Sequence, residues 1–125
     1  MNWRADSQTL IGRGISLLAT LPFIPSAFLK LVPNAQVTEG MARLGIPASL
    51  LPTLAMLELS CAVLYLIPAT SILGSILFTG YIGGIIFTHL RVGDPVYIPI
   101  VLGLLVWLGP YLREPRLRPL VPLRR

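Results

Sequence analysis

One acidic side chain, Glu58, lies in the middle of the apolar run of residues 48–67. A charged group at such a depth in a membrane costs about 2.5–3.5 kcal/mol unless it is paired, hydrated or protonated. Helical spacing places the small residues Ala55, Cys61 and Ala62 on the same side as Glu58. Small residues favour close helix packing over contact with lipid. We therefore expect Glu58 to face the inside of a helical bundle.

Four further polar side chains are candidates for a pocket with Glu58. Tyr81 lies at a similar depth on the following apolar run, and we expect it to hydrogen-bond to the carboxylate. Lys30, His89 and Arg91 lie near the ends of their runs, so a rise of about 1.5 Å per residue puts them above Glu58, at the membrane surface. We expect Lys30 to extend its ammonium to this surface rather than to turn inward toward a carboxylate.

The pattern leaves three roles open for Glu58. It can join helices by pairing with Lys30 through water, bind the polar end of a ligand such as a quinone, or carry a proton or ion. The sequence has no second histidine, no carboxylate pair and no cysteine cluster, which argues against a haem, di-iron or zinc site. The chain has one histidine and one cysteine, Cys61. We expect no metal site, no disulfide within the chain and no independent enzyme, and quinone is kept as a candidate cofactor.

The composition indicates that the main solvent of the chain is lipid. Of its 125 residues, 54 % are hydrophobic and 12 % are charged, whereas soluble domains have about 25 % charged residues. The mean hydropathy is +0.78. Since one spanning helix needs about 20 apolar residues, the chain is long enough for four. We expect a single domain, residues 1–125, that is an all-α integral membrane four-helix bundle.

Prolines and polar residues divide the chain into these spans. Pro22 and Pro25 are expected to kink the first span, because each removes a backbone hydrogen bond. A basic, proline-rich tail, residues 113–125, follows the last span. The predicted spans are residues 14–32, 48–67, 71–90 and 96–112.

The connection between the first two spans, residues 33–47, has the pattern of a short amphipathic helix on the outer membrane surface. Asn34 is suited to cap it, and Glu39 and Arg43 are spaced to form an ion pair along it. Its apolar positions recur at helical spacing: Val37, Met41 and Leu44.

Glycines give the third span smooth faces for close packing. Gly80 and Gly84 form a GxxxG pair with Gly83 beside it, and Gly74 lies further back on the helix. Such pairs let helix backbones approach each other closely. We expect packing inside the chain in preference to a dimer interface, although a homo-oligomer stays open.

The net charge of +5 comes from arginines near the ends of the chain. Seven of the ten Lys/Arg residues lie on the side of the two tails: Arg4, Arg13, Arg113, Arg116, Arg118, Arg124 and Arg125. Basic residues that flank apolar spans are retained in the cytoplasm. We therefore expect the bilayer rather than a nucleic acid as partner, a location in the cell (inner) membrane, and both termini in the cytoplasm.

Several motifs resemble those of the DoxX-like family of small four-helix membrane proteins, over residues 26–113. The run LELSCAVLYLIPATSILGSILFTGYIGGIIFTHLRVGDP contains Glu58, the proline turn of residues 65–70, Gly74, the Gly-Tyr-x-Gly-Gly segment and Thr-His-Leu-Arg. Upstream, Ser-Ala-Phe-Leu-Lys-Leu is similar to the first-helix lysine motif of the family, with Ala27 where glycine is frequent.

The resemblance implies a role beside membrane oxidoreductases. Relatives are linked to thiosulfate:quinone oxidoreduction and to oxidative-stress complexes, which implies an accessory or quinone-interacting subunit with redox-complex subunits as partners. Two other hypotheses remain. One is a small proton-coupled carrier or channel in which Glu58 titrates, and the other is a structural or assembly protein without chemistry of its own.

Overall fold

The computed structural model describes residues 3–32 and 34–124, with the backbone alone for Ala5. Met1 and Arg125, the ends of the predicted domain, lie outside the described residues, as does Pro33, the predicted start of the connection. Within the described part, the chain forms helices and turns without a strand. The six α-helices are α1 (Trp3–Thr20), α2 (Phe23–Leu31), α3 (Ala35–Arg43), α4 (Leu51–Leu66), α5 (Ser71–Arg91) and α6 (Tyr97–Arg113).

Three segments of the described chain are long and apolar enough to cross a membrane. They cover Asp6–Leu31 with 26 residues, Ala48–Leu66 with 19 and Pro68–Arg91 with 24. The apolar helix α6 is shorter, with 17 residues. The first helical segment begins well before residue 14, where the predicted span starts, because the polar residues after Trp3 continue the helix.

The break between α1 and α2 follows from one of the two prolines. Leu21 and Pro22 form a turn between the helices, and Pro22 lacks the N–H that a continuous helix would use. Pro25 lies in the first turn of α2, where backbone N–H groups have no partner within the helix. The chain therefore bends at Pro22 and accommodates Pro25 without a second break.

The long helices pack against each other in antiparallel pairs. Glu58 of α4 contacts Ser26 of α2, and Tyr65 further along α4 contacts Ser16 of α1. Tyr65 also lies against Gly74 near the start of α5. Helix α6 packs against both α5 and α1. The ends of α2 and α5 and the start of α4 consequently lie together at the end of the fold that carries α3.

A layer of fully buried side chains fills the middle of the fold. Tyr65, Phe78 and Val106 are 0 % exposed. The rings of Phe23 and Phe78 have centroids 4.8 Å apart. The Tyr65 hydroxyl donates to the Val106 carbonyl at 3.0 Å and lies 3.2 Å from Ser16 Oγ. This one side chain therefore connects α4 to both α1 and α6.

The glycines of α5 divide into two groups. A Cβ atom at Gly74 would lie 2.4 Å from the Cα atom of Tyr65, so the close approach of α4 and α5 requires glycine there. A Cβ atom at Gly80, Gly83 or Gly84 would meet no atom within 4 Å. The expectation that these three glycines pack inside the chain is therefore not met.

Helix α3 occupies the connection where the sequence predicts a short helix. Asn34 Oδ1 accepts hydrogen bonds from the backbone N–H groups of Gln36 at 2.9 Å and Val37 at 3.4 Å. Gly45 ends this segment with a φ of +80°, in the left-handed region that favours glycine. Leu44 is buried, so the apolar side of this segment faces the fold.

Candidate functional site

A buried ion pair joins α2 and α4. The ammonium of Lys30 lies 2.8 Å from Glu58 Oε1, and the two side chains are 4 % and 3 % exposed. The expectation that Lys30 reaches the membrane surface is wrong, because its ammonium turns inward. The contact is also direct, without the bridging water that the sequence-based hypothesis assumed.

The directions of the two helices explain why Lys30 reaches Glu58. Side chains in a helix tilt toward its N-terminus. Each side chain therefore leans back toward the N-terminus of its own helix. Because α2 and α4 are antiparallel, these two directions are opposite, and the side chains of Lys30 and Glu58 lean toward each other. The ammonium of Lys30 thus lies 2.6 Å from Ser26 Oγ, one turn back on α2. An estimate of depth from the rise per residue alone misses this convergence.

Two hydroxyl groups complete what we call the polar cluster, which consists of Ser26, Lys30, Glu58 and Tyr81. The Tyr81 hydroxyl donates to Glu58 Oε1 at 2.5 Å, and the Ser26 hydroxyl donates to the same oxygen at 3.2 Å. The hydrogen bond from Tyr81 is the one that its depth predicts. The other carboxylate oxygen, Oε2, is buried and has no hydrogen-bond partner among the described residues.

Ser26 is the member of the polar cluster that the sequence analysis did not place in the site. The signal was its position four residues before Lys30, since side chains at this spacing are neighbours on a helix. A serine one turn before a buried lysine supplies both a hydroxyl and a backbone carbonyl to the ammonium. Lys30 uses both, at 2.6 Å and 3.5 Å.

The polar cluster forms part of the wall of a cavity of about 710 Å³ between α2, α4 and α5. Sites for small molecules typically have volumes of about 300–1,000 Å³ and mostly apolar walls with a few polar groups. The remaining wall is predominantly apolar, and it includes Leu54, Leu57, Ile76, Leu77 and Ile85.

The cavity opens on the flank of the fold between α4 and α5. Leu57, Ile76 and Leu77 line it and are also 41–55 % exposed. Gly80 and Gly84 line it as well, whereas Gly83 does not. Because Gly80 and Gly84 have no side chains, this wall of the opening does not project into the cavity.

A second network lies beside the end of the cavity near α3, which His89 lines. The guanidinium of Arg43 pairs with Asp94, and His89 Nδ1 lies 3.1 Å from Asp94 Oδ2. Arg43 therefore pairs across to the turn after α5, instead of with Glu39 on its own helix as the sequence predicts. Arg91 donates to the backbone carbonyl of Leu44, which holds the end of α3 against α5.

The charged groups of this network shift each other's pKa values. The hydrogen bond from Arg43, and then that from His89, lowers the pKa of Asp94 below its ordinary value. The same hydrogen bond raises the pKa of Arg43. Both groups are therefore held in their charged forms near neutral pH.

The structure places the five predicted pocket residues at three positions. Lys30, Glu58 and Tyr81 are in direct contact in the polar cluster. His89 lines the cavity two turns further along α5 than Tyr81. Arg91 is exposed, and its hydrogen bond to the backbone carbonyl directly after α3 gives it a role in holding α3.

Comparison with known proteins identifies the family. The family model described as the DoxX-like family matches residues 15–109. No curated protein and no solved structure matches the chain. The family match covers most of the chain and agrees with the apolar helices of the fold. This protein is a multi-pass membrane protein that belongs to the DoxX-like family.

Proposed function

We propose that this protein binds a lipid-soluble quinone as an accessory subunit of a membrane oxidoreductase complex. The observation that carries the proposal is the buried polar cluster in the wall of an otherwise apolar cavity. Quinones have a ring with two oxygen atoms and a long apolar tail. The cavity offers both environments, with hydrogen-bonding groups around Glu58 and an apolar opening between α4 and α5.

The position of the opening supports a ligand that comes from the membrane. Ile76 and Leu77 are both exposed and line the cavity, so an apolar tail can extend from the cavity along the flank of α5. The low wall at Gly80 leaves room for such a tail. A water-soluble substrate would gain nothing from this apolar exit.

The accessory role follows from the small number of groups in the chain that carry electrons. Oxidation or reduction of a quinone requires an electron donor or acceptor nearby. With one histidine and one cysteine, the chain does not have the four thiolate or imidazole ligands of an iron–sulfur cluster, and the one histidine contacts Asp94. The electrons would therefore pass to or from another subunit, and this chain would hold the quinone.

Four spans in a four-helix bundle would place both termini in the cytoplasm of the cell (inner) membrane. The proposal takes α6 as the fourth span beside the three longer segments. Arginines are concentrated on the side of the two tails, which is the cytoplasmic side by the positive-inside rule. The polar cluster and α3 then lie in the outer half of the membrane.

A purification in mild detergent tests the proposal. The full chain is isolated from native membranes, its lipids are extracted, and quinones are quantified against the bulk lipid. We expect quinone to be enriched with the protein, at close to one molecule per chain, and to be reduced by filling the cavity with Gly80→Ile. If neither quinone nor any redox subunit accompanies the protein, the proposal fails.

The rival hypothesis of a proton-coupled carrier has less support in the packing. Beyond Glu58, the fully buried layer of Tyr65, Phe78 and Val106 occupies the centre of the fold. A carrier would have to open this layer in each cycle. Flux into proteoliposomes that depends on Glu58, and disappears with Glu58→Gln, would favour the carrier.

A further inference from the structure

The hydrogen-bond donors of the polar cluster are already engaged within the cluster, and the ammonium of Lys30 is the first example. An ammonium has three hydrogens to donate and no lone pair to accept with. Three acceptors surround Lys30 Nζ: Ser26 Oγ at 2.6 Å, Glu58 Oε1 at 2.8 Å and the Ser26 carbonyl at 3.5 Å. The ammonium therefore has no hydrogen left to offer to a ligand.

The two hydroxyl groups are committed in the same way. Tyr81 and Ser26 each have one hydrogen, and both donate to Glu58 Oε1. What remains in the polar cluster is acceptor capacity, namely Glu58 Oε2, which has no partner among the described residues, and the lone pairs of Tyr81 Oη. The cluster consequently lacks a donor and not an acceptor.

We propose that the site selects the reduced form of its ligand, a quinol, over the oxidised quinone; this inference rests on the proposed function. A quinol has O–H groups that can donate to Glu58 Oε2. At the polar cluster the carbonyl oxygen of a quinone would meet only acceptors and would leave Oε2 unpaired. A buried acceptor without a partner is costly, and the missing donor thereby acts against the oxidised form.

The carboxylate is able to meet such a donor with little movement. Glu58 is 2 % exposed, so bulk water does not satisfy Oε2 in place of the ligand. Glu58 lines the cavity, and the last torsion of a glutamate side chain is soft, so a small rotation of the carboxylate adjusts Oε2 to a donor in the cavity.

Binding of three matched probes to the purified full chain in nanodiscs tests the inference. The probes are a decyl benzoquinol, its quinone and its dimethyl ether, titrated without oxygen by calorimetry. The ether has the ring and tail of the quinol without its O–H groups. We expect the quinol to bind at least about tenfold more tightly than the other two, which is the lower end of the range for one hydrogen bond to a charged group. Equal or tighter binding of the quinone overturns the inference and leaves the proposed function standing, whereas no binding of any probe overturns both.

Two variants assign the preference to Glu58. Glu58→Gln replaces one acceptor oxygen with an NH₂ donor, and we expect the preference for the quinol to be lost or reversed. Ser60→Ala is the matched control, because Ser60 lines the cavity on the same helix outside the polar cluster, and it should retain the preference. The reverse result, with the preference lost in Ser60→Ala and kept in Glu58→Gln, contradicts the inference.

Discussion

Lys30 and Glu58 form a direct ion pair, 2.8 Å apart, in which neither side chain is more than 4 % exposed. Each charge compensates the other in apolar surroundings, and this compensation requires that both partners are present. Ser26 and Tyr81 add hydrogen bonds to the same carboxylate oxygen.

Removal of either charge is expected to destabilise the fold more than removal of both. Lys30→Met or Glu58→Leu leaves a buried charge without its partner, which costs about 3–5 kcal/mol. The double variant removes both charges and should lose less stability than either single variant, and therefore less than the sum of the two single losses. Thermal unfolding of all four proteins in the same detergent measures this coupling. Strictly additive losses would show that the ion pair does not contribute as a unit.

Filling the opening of the cavity is expected to weaken quinone binding without harm to the fold. The side chain introduced by Gly80→Ile displaces about four ligand atoms, worth ~0.3 kcal/mol each, so affinity should fall about tenfold. Gly83→Ile is the matched control, since Gly83 has the same free space but does not line the cavity. Equal loss in both variants would argue against a ligand in this cavity.

The close approach of α4 and α5 is expected to depend on Gly74. In Gly74→Ala the new methyl group would lie 2.4 Å from the backbone of Tyr65, and relief of such overpacking typically costs about 1–3 kcal/mol. Gly83→Ala places the same methyl group in free space on the same helix. A lower melting temperature of Gly74→Ala alone is the expected result. Equal melting temperatures would show that the helices shift at little cost.

The network around Asp94 is expected to make stability depend on pH in acid. Arg43 and His89 lower the pKa of Asp94 in the folded state. Because the pKa of Asp94 is lower in the folded state, the unfolded chain binds more protons in acid. The stabilisation of the fold by ionised Asp94 is therefore complete above the ordinary aspartate pKa of about 3.9, and it is lost as the pH falls through the pKa of the folded state. Melting temperatures between about pH 6 and pH 2 should fall less steeply for Asp94→Asn than for the native chain.

Glu39 supplies the control for this pH dependence. Its carboxylate is exposed on the same helix as Arg43, and Glu39→Gln should leave the slope of the native chain unchanged. A flatter slope in this variant would assign the acid sensitivity to α3 in general rather than to Asp94.

The orientation in the membrane is expected to show in the labelling of single cysteines. In a Cys61→Ala background, Gly40→Cys lies on exposed α3 and Ala69→Cys lies in the turn between α4 and α5. A membrane-impermeant maleimide should label the first variant in intact cells and the second only after permeabilisation. The opposite pattern would invert the proposed topology.

The sequence alone leads to the helices and to part of the site. Apolar runs and prolines predict α4 and α5 to within a few residues, and depth predicts the contact of Tyr81 with Glu58. The depth of the Cα atom does not predict the position of the Lys30 charge, because the side chain extends along its helix. In antiparallel helices the side chains also lean toward each other. The length of a lysine side chain exceeds one helical turn, so the position of its Cα atom does not fix the position of its charge.

Partner choice is the other feature that local patterns do not determine. Arg43 has Glu39 at helical spacing yet pairs with Asp94, which is 51 residues later in the chain. Gly80, Gly83 and Gly84 match a packing motif yet have no packing partner within the described chain. In each case the fold decides which of several compatible neighbours is within reach, and spacing along one helix carries no information about this.

Under the proposed function, the flank position of the cavity opening ties ligand occupancy to the composition of the bilayer. A ligand that enters between α4 and α5 arrives by two-dimensional diffusion within the bilayer, since the exposed wall there is apolar. Saturation would then follow the mole fraction of the ligand in the lipid and not its concentration in water. Dilution of the same protein and ligand with additional lipid would empty the cavity, while dilution with buffer would leave it occupied.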